Sequence, residues 1–173
     1  LRFKDKVEAV TGNAVTAAGL KEAIRVVNAR RSVLQRLNRL RAASPVPISG
    51  RDVLLVNQIS FYDDPVRFTE SIGKLCDEIE VRVKASEGIV SEETPRLMLS
   101  GCPMAVPNWK LPYIIESSGA VIVGEESCIG TRNTRDLVED KGETLDELLD
   151  VLADRYMKID CACFTPNTER LNH

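Results

Sequence analysis

Two cysteines one residue apart, Cys161 and Cys163 in Ile159-Asp160-Cys161-Ala162-Cys163-Phe164, open the chemistry of this chain. With Cys128 and Cys102 upstream they make four thiols toward the C-terminal end, while the single histidine is the terminal His173. A metal or cluster held here would meet soft thiolate ligands, so Cys102, Cys128, Cys161 and Cys163 are the candidate ligands. Zinc is the weaker metal reading, because four-thiolate zinc sites usually pair two Cys-x-x-Cys knuckles and this chain has neither. Cluster ligation needs thiolates on loops, where backbone N–H groups can approach anionic sulfur, and the glycines and proline beside Cys102 and Cys128 suit that approach. Spacing alone leaves three readings open: cluster binding, burial as small apolar residues, and thiol redox or zinc chemistry. The fifth cysteine, Cys76, lies inside a helical pattern with no second ligand three or four residues on, and reads as a buried side chain. No catalytic residue is singled out.

The elements that must position these thiols follow from periodicity and capping. A short helix over Phe3 to Val10 precedes a long one, capped by Thr16 and running to about Ala42 before Pro45-Val46-Pro47 and Gly50. Residues 51–60 continue the helical pattern, and Asp63-Asp64-Pro65 opens a helix to about Ala85 with apolar Phe68, Ile72, Leu75, Ile79 and Val83. The texture changes after Pro95. Arg96 to Ser100 reads as a short buried strand, Pro107 to Ser118 as a helix and Ala120 to Gly124 as a second buried strand. Such a βαβ unit implies a right-handed crossover and a parallel pair whose strands end at one sheet edge, the edge where open parallel sheets bind ligands. Cys102 follows the first strand and Cys128 the second, so both thiols are expected there. A last helix, Thr144 to Tyr156, begins with a capping box, Thr144 and Glu147, and leads to Cys161 and Cys163. The expected fold class is α/β, with a helical segment over 1–90 and a partial α/β, Rossmann-like cluster-binding domain over 91–173.

Charge and composition narrow the function classes. Residues 1–50 carry ten Lys/Arg against three Asp/Glu, and residues 51–173 thirteen against twenty-three, for a net charge of −3. The basic excess sits on the long helix at Arg25, Arg30, Arg31, Arg36, Arg39 and Arg41, read as a solvated face or a docking face for an acidic or phosphate-bearing partner. Nucleic acid is not expected, because the chain is acidic and only 5% aromatic. No run approaches eighteen apolar residues and no signal-peptide layout is present, so no membrane association and a cytoplasmic location are expected. Five irregularly spaced cysteines argue against a disulfide framework. The absence of an initiator methionine and the patterns at both ends read as an internal piece of a longer protein. Glu125 and Glu126 read as solvated acids rather than as groups that tune a cluster's charge or move protons, Arg132 and Arg135 as pairing with the acidic helix after Thr144 or meeting a ligand phosphate, and Trp109 and Tyr113 as core rather than ligand-stacking residues.

Four stretches carry a resemblance: Ser100-Gly101-Cys102-Pro103, Leu111-Pro112-Tyr113-Ile114-Ile115-Glu116, Gly119 to Arg132 with its Glu-Glu-Ser-Cys-Ile-Gly-Thr-Arg run, and Asp160-Cys161-Ala162-Cys163-Phe164-Thr165-Pro166-Asn167 onward. The chain resembles the 2-hydroxyacyl-CoA dehydratase and benzoyl-CoA reductase family, of the 2-hydroxyglutaryl-CoA dehydratase D-component type. The resemblance implies an iron–sulfur (4Fe-4S) subunit of anaerobic metabolism working with a sister subunit and an ATP-hydrolysing activator protein. The activator supplies a low-potential electron for radical dehydration or reduction of a CoA thioester. It implies Cys128 first among the ligands, then Cys161, Cys163 and Cys102. The pairing of Gly-Cys-Pro with Cys-Ala-Cys is more similar to the double-cubane cluster branch, which reduces small molecules. The alternative to both is a non-catalytic partner-binding domain. Because the family brings a cluster cysteine from upstream and an α/β domain downstream, these residues alone are expected to be inactive and to lack bound iron.

Overall fold

The computed structural model describes residues 2–139 and 141–159. Its elements are α1 (Arg2–Thr11), α2 (Ala17–Leu40), α3 (Gly50–Ile59), α4 (Pro65–Lys84), β1 (Arg96–Ser100), α5 (Lys110–Ser117), β2 (Val121–Glu126), α6 (Thr131–Thr134) and α7 (Leu145–Met157). The α/β class holds, with helices first and a two-stranded parallel sheet after them. Cys161 and Cys163 lie outside the described residues, and so does the run around them.

Each long helix starts where its sequence supplies an acceptor for orphan N–H groups. The Thr16 hydroxyl accepts from Gly19 N at 3.1 Å, and the Asp64 carboxylate accepts from Val66 N and Arg67 N, with Pro65 occupying the first helical position. Thr144 and Glu147 form the full reciprocal capping box at the start of α7. The apolar stripes of α2 and α4 then pack together. Leu34, Leu37, Phe68, Ile72, Cys76 and Ile79 meet Ile48 and Val53 in one dry core, where burying each large side chain contributes about 1.5–3 kcal/mol. Cys76 is fully buried, as expected of a small apolar residue, with its thiol 3.9 Å from the Val33 carbonyl and its pKa pushed up by burial.

The sheet joins this core through α3. A Cβ on Gly50 would lie 2.4 Å from Ile122 Cβ, so only glycine permits this approach of helix to strand. The Glu116 carboxylate of α5 accepts from Gly50 N at 2.7 Å, from Arg51 N at 3.4 Å and from Ile122 N at 3.3 Å, tying α3, α5 and β2 together. Strand β2 is buried at Val121 and Ile122, as its apolar run predicts. Strand β1 departs from expectation. It was expected to be buried, yet Leu97 and Met98 are 40% and 63% exposed, because β1 lies at the sheet edge and its chief packing partner among the described residues is β2. No described helix is long and apolar enough to cross a membrane.

The basic face of α2 also divides. Arg25 and Arg39 are exposed, as a solvated face requires, and Arg36 pairs with Asp77 and Glu80 of α4. Arg31 and Arg41 are instead buried, at 3% and 1% exposure, where α2 passes beneath the C-terminal elements. The same helix pins the segment that follows Cys128. The Gln35 amide donates to the Thr134 and Arg135 carbonyls at 2.7 and 2.9 Å, and the Asn28 side chain exchanges two hydrogen bonds with the Val138 backbone.

Candidate functional site at the strand ends

Strands β1 and β2 run parallel, with Arg96 paired to Val121, Ser100 to Glu126, and a bulge after Leu97 that adds one residue to β2. Their carboxyl ends therefore lie side by side, and Gly101 N extends the ladder to the Glu126 carbonyl at 3.2 Å. Cys102 and Cys128 follow these ends as exposed free thiols. Both occupy the shared edge that the βαβ pattern predicts.

The turn holding Cys128 is closely determined. Gly130 N donates to the Ser127 carbonyl at 3.1 Å and to its hydroxyl at 3.2 Å, while the Thr131 hydroxyl donates to the Glu125 carbonyl at 3.1 Å. A Cβ on Gly130 would sit 2.3 Å from that same carbonyl oxygen, so the turn requires glycine. Arg132, 6% exposed, grips the Glu126 carboxylate through Nε and, at 2.6 Å, through Nη2, while its Nη1 reaches to 3.7 Å from Cys128 Sγ. The Ser100 hydroxyl donates to the same carboxylate at 2.7 Å. Glu126 thus bridges the first strand to the cation beside Cys128, and holds the Arg132 pKa well above its ordinary value. A guanidinium this close can donate a charge-assisted hydrogen bond to the Cys128 sulfur, an arrangement suited to a sulfur that serves as a metal ligand or a nucleophile.

Several sequence expectations are corrected here. Glu125 and Glu126 are not solvated acids: Glu125 is 3% exposed, accepts from the Ser127 hydroxyl at 2.6 Å, and offsets the burial of Arg41. Burial pushes the Arg41 pKa down to about 10, against the opposing pull of Glu125 and Glu116. Arg132 pairs with Glu126 in its own turn, because the fold-back at Gly130 brings the two together, whereas Arg135 meets Asp136 and the Lys158 carbonyl at the end of α7. Trp109 and Tyr113 are not core: they are 40% and 59% exposed, since nothing covers the outer face of α5 among the described residues. Reading the sequence missed Gln58. Buried at 3%, its amide donates to the Met104 carbonyl at 2.8 Å and accepts from Trp109 Nε1 at 2.8 Å. A lone glutamine in an apolar helix gives no periodic signal, so only the fold reveals its partners.

Two hollows lie near this edge, one of them touching a thiol. One of about 70 Å3 lies between the strand ends against Cys102, Glu125 and Ser127, and one of about 240 Å3 is lined by Gln58, Phe61, Tyr62, Val106 and Ile129. Met104 borders both. Among the described residues no group of three or more His, Cys, Asp or Glu side chains could hold a metal ion.

A family model described as 2-hydroxyglutaryl-CoA dehydratase, D-component, matches residues 1–173. The chain belongs to the 2-hydroxyglutaryl-CoA dehydratase D-component family. It is 32% identical over 99% of its length to YjiM of Escherichia coli (strain K12), whose name describes a dehydratase subunit, covering 43% of that protein. It is also 26% identical over 87% of its length to the (R)-phenyllactyl-CoA dehydratase beta subunit of Clostridium sporogenes, covering 38% of it. The chain thus spans about two fifths of these relatives.

Proposed function

We propose that this family member is part of an iron–sulfur subunit of a 2-hydroxyacyl-CoA dehydratase, in which Cys128 is the first ligand of the cluster. The observation that carries the reading is the glycine-dependent turn after β2, which presents Cys128 at the sheet edge with the Arg132 guanidinium beside its sulfur. A cubane cluster asks for four thiolates. The described residues supply two exposed thiols at one edge, Cys128 and Cys102, so they suit part of such a site. Cys161 and Cys163 are the remaining candidates within the chain.

When bound, the cluster would supply one-electron chemistry to a CoA thioester, fed by an ATP-hydrolysing activator, with a sister subunit completing the enzyme. This chain's residues do the rest. Arg132, held by Glu126, stands with its Nη1 at 3.7 Å from the Cys128 sulfur and can donate to it. Ser100 and Glu126 fix the two strand ends relative to each other. Glu125, buried and accepting from the Ser127 hydroxyl, lines the small hollow beside Cys102. Met104, Val106 and Ile129 give the neighbouring open hollow an apolar lining.

The exposure of Cys102 at the sheet edge that also carries Cys128 favours a second reading in the same family, a double-cubane protein with additional thiolate ligands that reduces small molecules. Anaerobic reconstitution of the full-length protein with iron and sulfide separates the readings. About four irons per chain with an EPR signal on reduction and dehydration of a 2-hydroxyacyl-CoA support the first, and about eight irons without that activity support the second. Unchanged iron content in Cys128→Ser would refute Cys128 as a ligand in either.

A further inference from the structure

We infer that the groove between α3 and α5 binds the adenosine-phosphate end of a CoA thioester; the inference rests on the functional reading above. The groove is distinct from the thiol edge and encloses about 520 Å3, a volume suited to a small-molecule site. Its walls are Leu55, Pro107, Trp109 and Tyr113, and Arg51 and Lys110 stand at its rim with Asp52.

Three features point to a planar base carrying phosphate. The Trp109 indole is exposed to the groove but fixed in place, since its Nε1 donates to the buried Gln58 at 2.8 Å, and an immobilised aromatic face is a preset platform for stacking a purine. Lys110 makes no ion pair among the described residues, and Arg51 lies 4.0 Å from Asp52 with its side chain half exposed. Lys110 is therefore unpaired there and Arg51 keeps only this long contact with Asp52, so both can turn to a phosphate, while the Asp52 carboxylate can accept from a ribose hydroxyl. The groove is also linked to the thiol edge. Gln58, which holds Trp109, also lines the apolar hollow that contains Met104 and Ile129, the residue after Cys128. A ligand with a nucleotide at one end and an acyl group at the other would find both chemistries along one face.

The test uses the full-length subunit without its cluster. Trp109 is the only tryptophan among these 173 residues, and the difference between the emission of the unsubstituted protein and Trp109→Phe isolates its signal. Adenosine 3′,5′-bisphosphate and CoA should quench that signal and pantetheine should not. The double variant Arg51→Glu, Lys110→Glu should bind both at least about tenfold more weakly with an unchanged circular dichroism spectrum. No quenching by either ligand, or equal affinity in the double variant, would overturn the assignment. ATP binding more tightly than adenosine 3′,5′-bisphosphate would overturn it in favour of a free nucleotide. The two proposals fail separately. Dehydration of a CoA thioester with an unchanged KM in the double variant would sink the groove and leave the dehydratase reading standing. Quenching by CoA in a protein that dehydrates no hydroxyacyl-CoA would do the reverse.

Discussion

The α2–α4 core and the strand-end site lie in one chain and are built on opposite principles. In the first, apolar stripes close on each other, and Leu37, Val53 and Cys76 lose all contact with water. In the second, a buried carboxylate, two buried arginines and exposed thiols gather around two short strands, and the Arg41 Nε finds no partner among the described residues. Buried polar groups cost stability unless they are satisfied, so such a site persists only where a well-packed neighbour offsets it. The helical core is that neighbour. The difference teaches that stability and chemistry are divided along the chain, and substitutions in the two regions should separate them.

The largest effect should come from Phe68→Ala, which empties the α2–α4 core and should lower unfolding free energy by about 3–5 kcal/mol in urea titration while leaving the thiol reactivity of Cys128 in the native state unchanged. A similar loss with altered Cys128 reactivity would show that the two regions are not independent. Next is Gly130→Ala. Its Cβ would meet the Glu125 carbonyl oxygen, so a cost of about 1–3 kcal/mol is expected together with disturbed alkylation kinetics at Cys128. Cys128→Ser marks the opposite corner, with stability expected within about 0.5 kcal/mol of the parent, because the side chain is exposed, and iron content reduced on reconstitution.

The smallest effect is a pH dependence away from both regions. Backbone N–H groups of Thr144 and Glu143 hold the Glu147 carboxyl below its ordinary 4.5. Its folded pKa is depressed, so its contribution to stability is present in full above about pH 4.5 and is lost as pH falls through the folded value. Glu147→Gln, which keeps an acceptor for the cap, should flatten this part of the acid limb of thermal melting while hardly changing the midpoint at pH 7.

What the sequence disclosed followed physical range. Capping and periodicity act over a few residues, so the starts of α2, α4 and α7 at Thr16, Asp64 and Thr144 were legible, as were both strands and their parallel pairing. The placement of Cys102 and Cys128 at one edge followed from that pairing. Burial is a property of the neighbours, and there reading stopped. Trp109 and Tyr113 look like core residues by type yet face outward, and Arg41 looks like surface yet lies beneath Ile122. Glu125 and Glu126 are adjacent in sequence but have separate environments, one with Ser127 and the other with Arg132, because alternate strand residues point to opposite faces. The short helix α6 gave no periodic signal, being four residues long.

The Glu116 carboxylate has a consequence for how anything could enter the α3–α5 groove. It accepts hydrogen bonds from the first two N–H groups of α3 while sitting on α5, and the Ser49 hydroxyl takes the third from Asp52 N. Parting the two helices would therefore strip α3 of two of its caps at once and detach β2 as well. The walls are latched, so a ligand would meet an open groove whose backbone is already set, and only exposed side chains such as Tyr113 are left to adjust, by rotamer changes on the nanosecond scale.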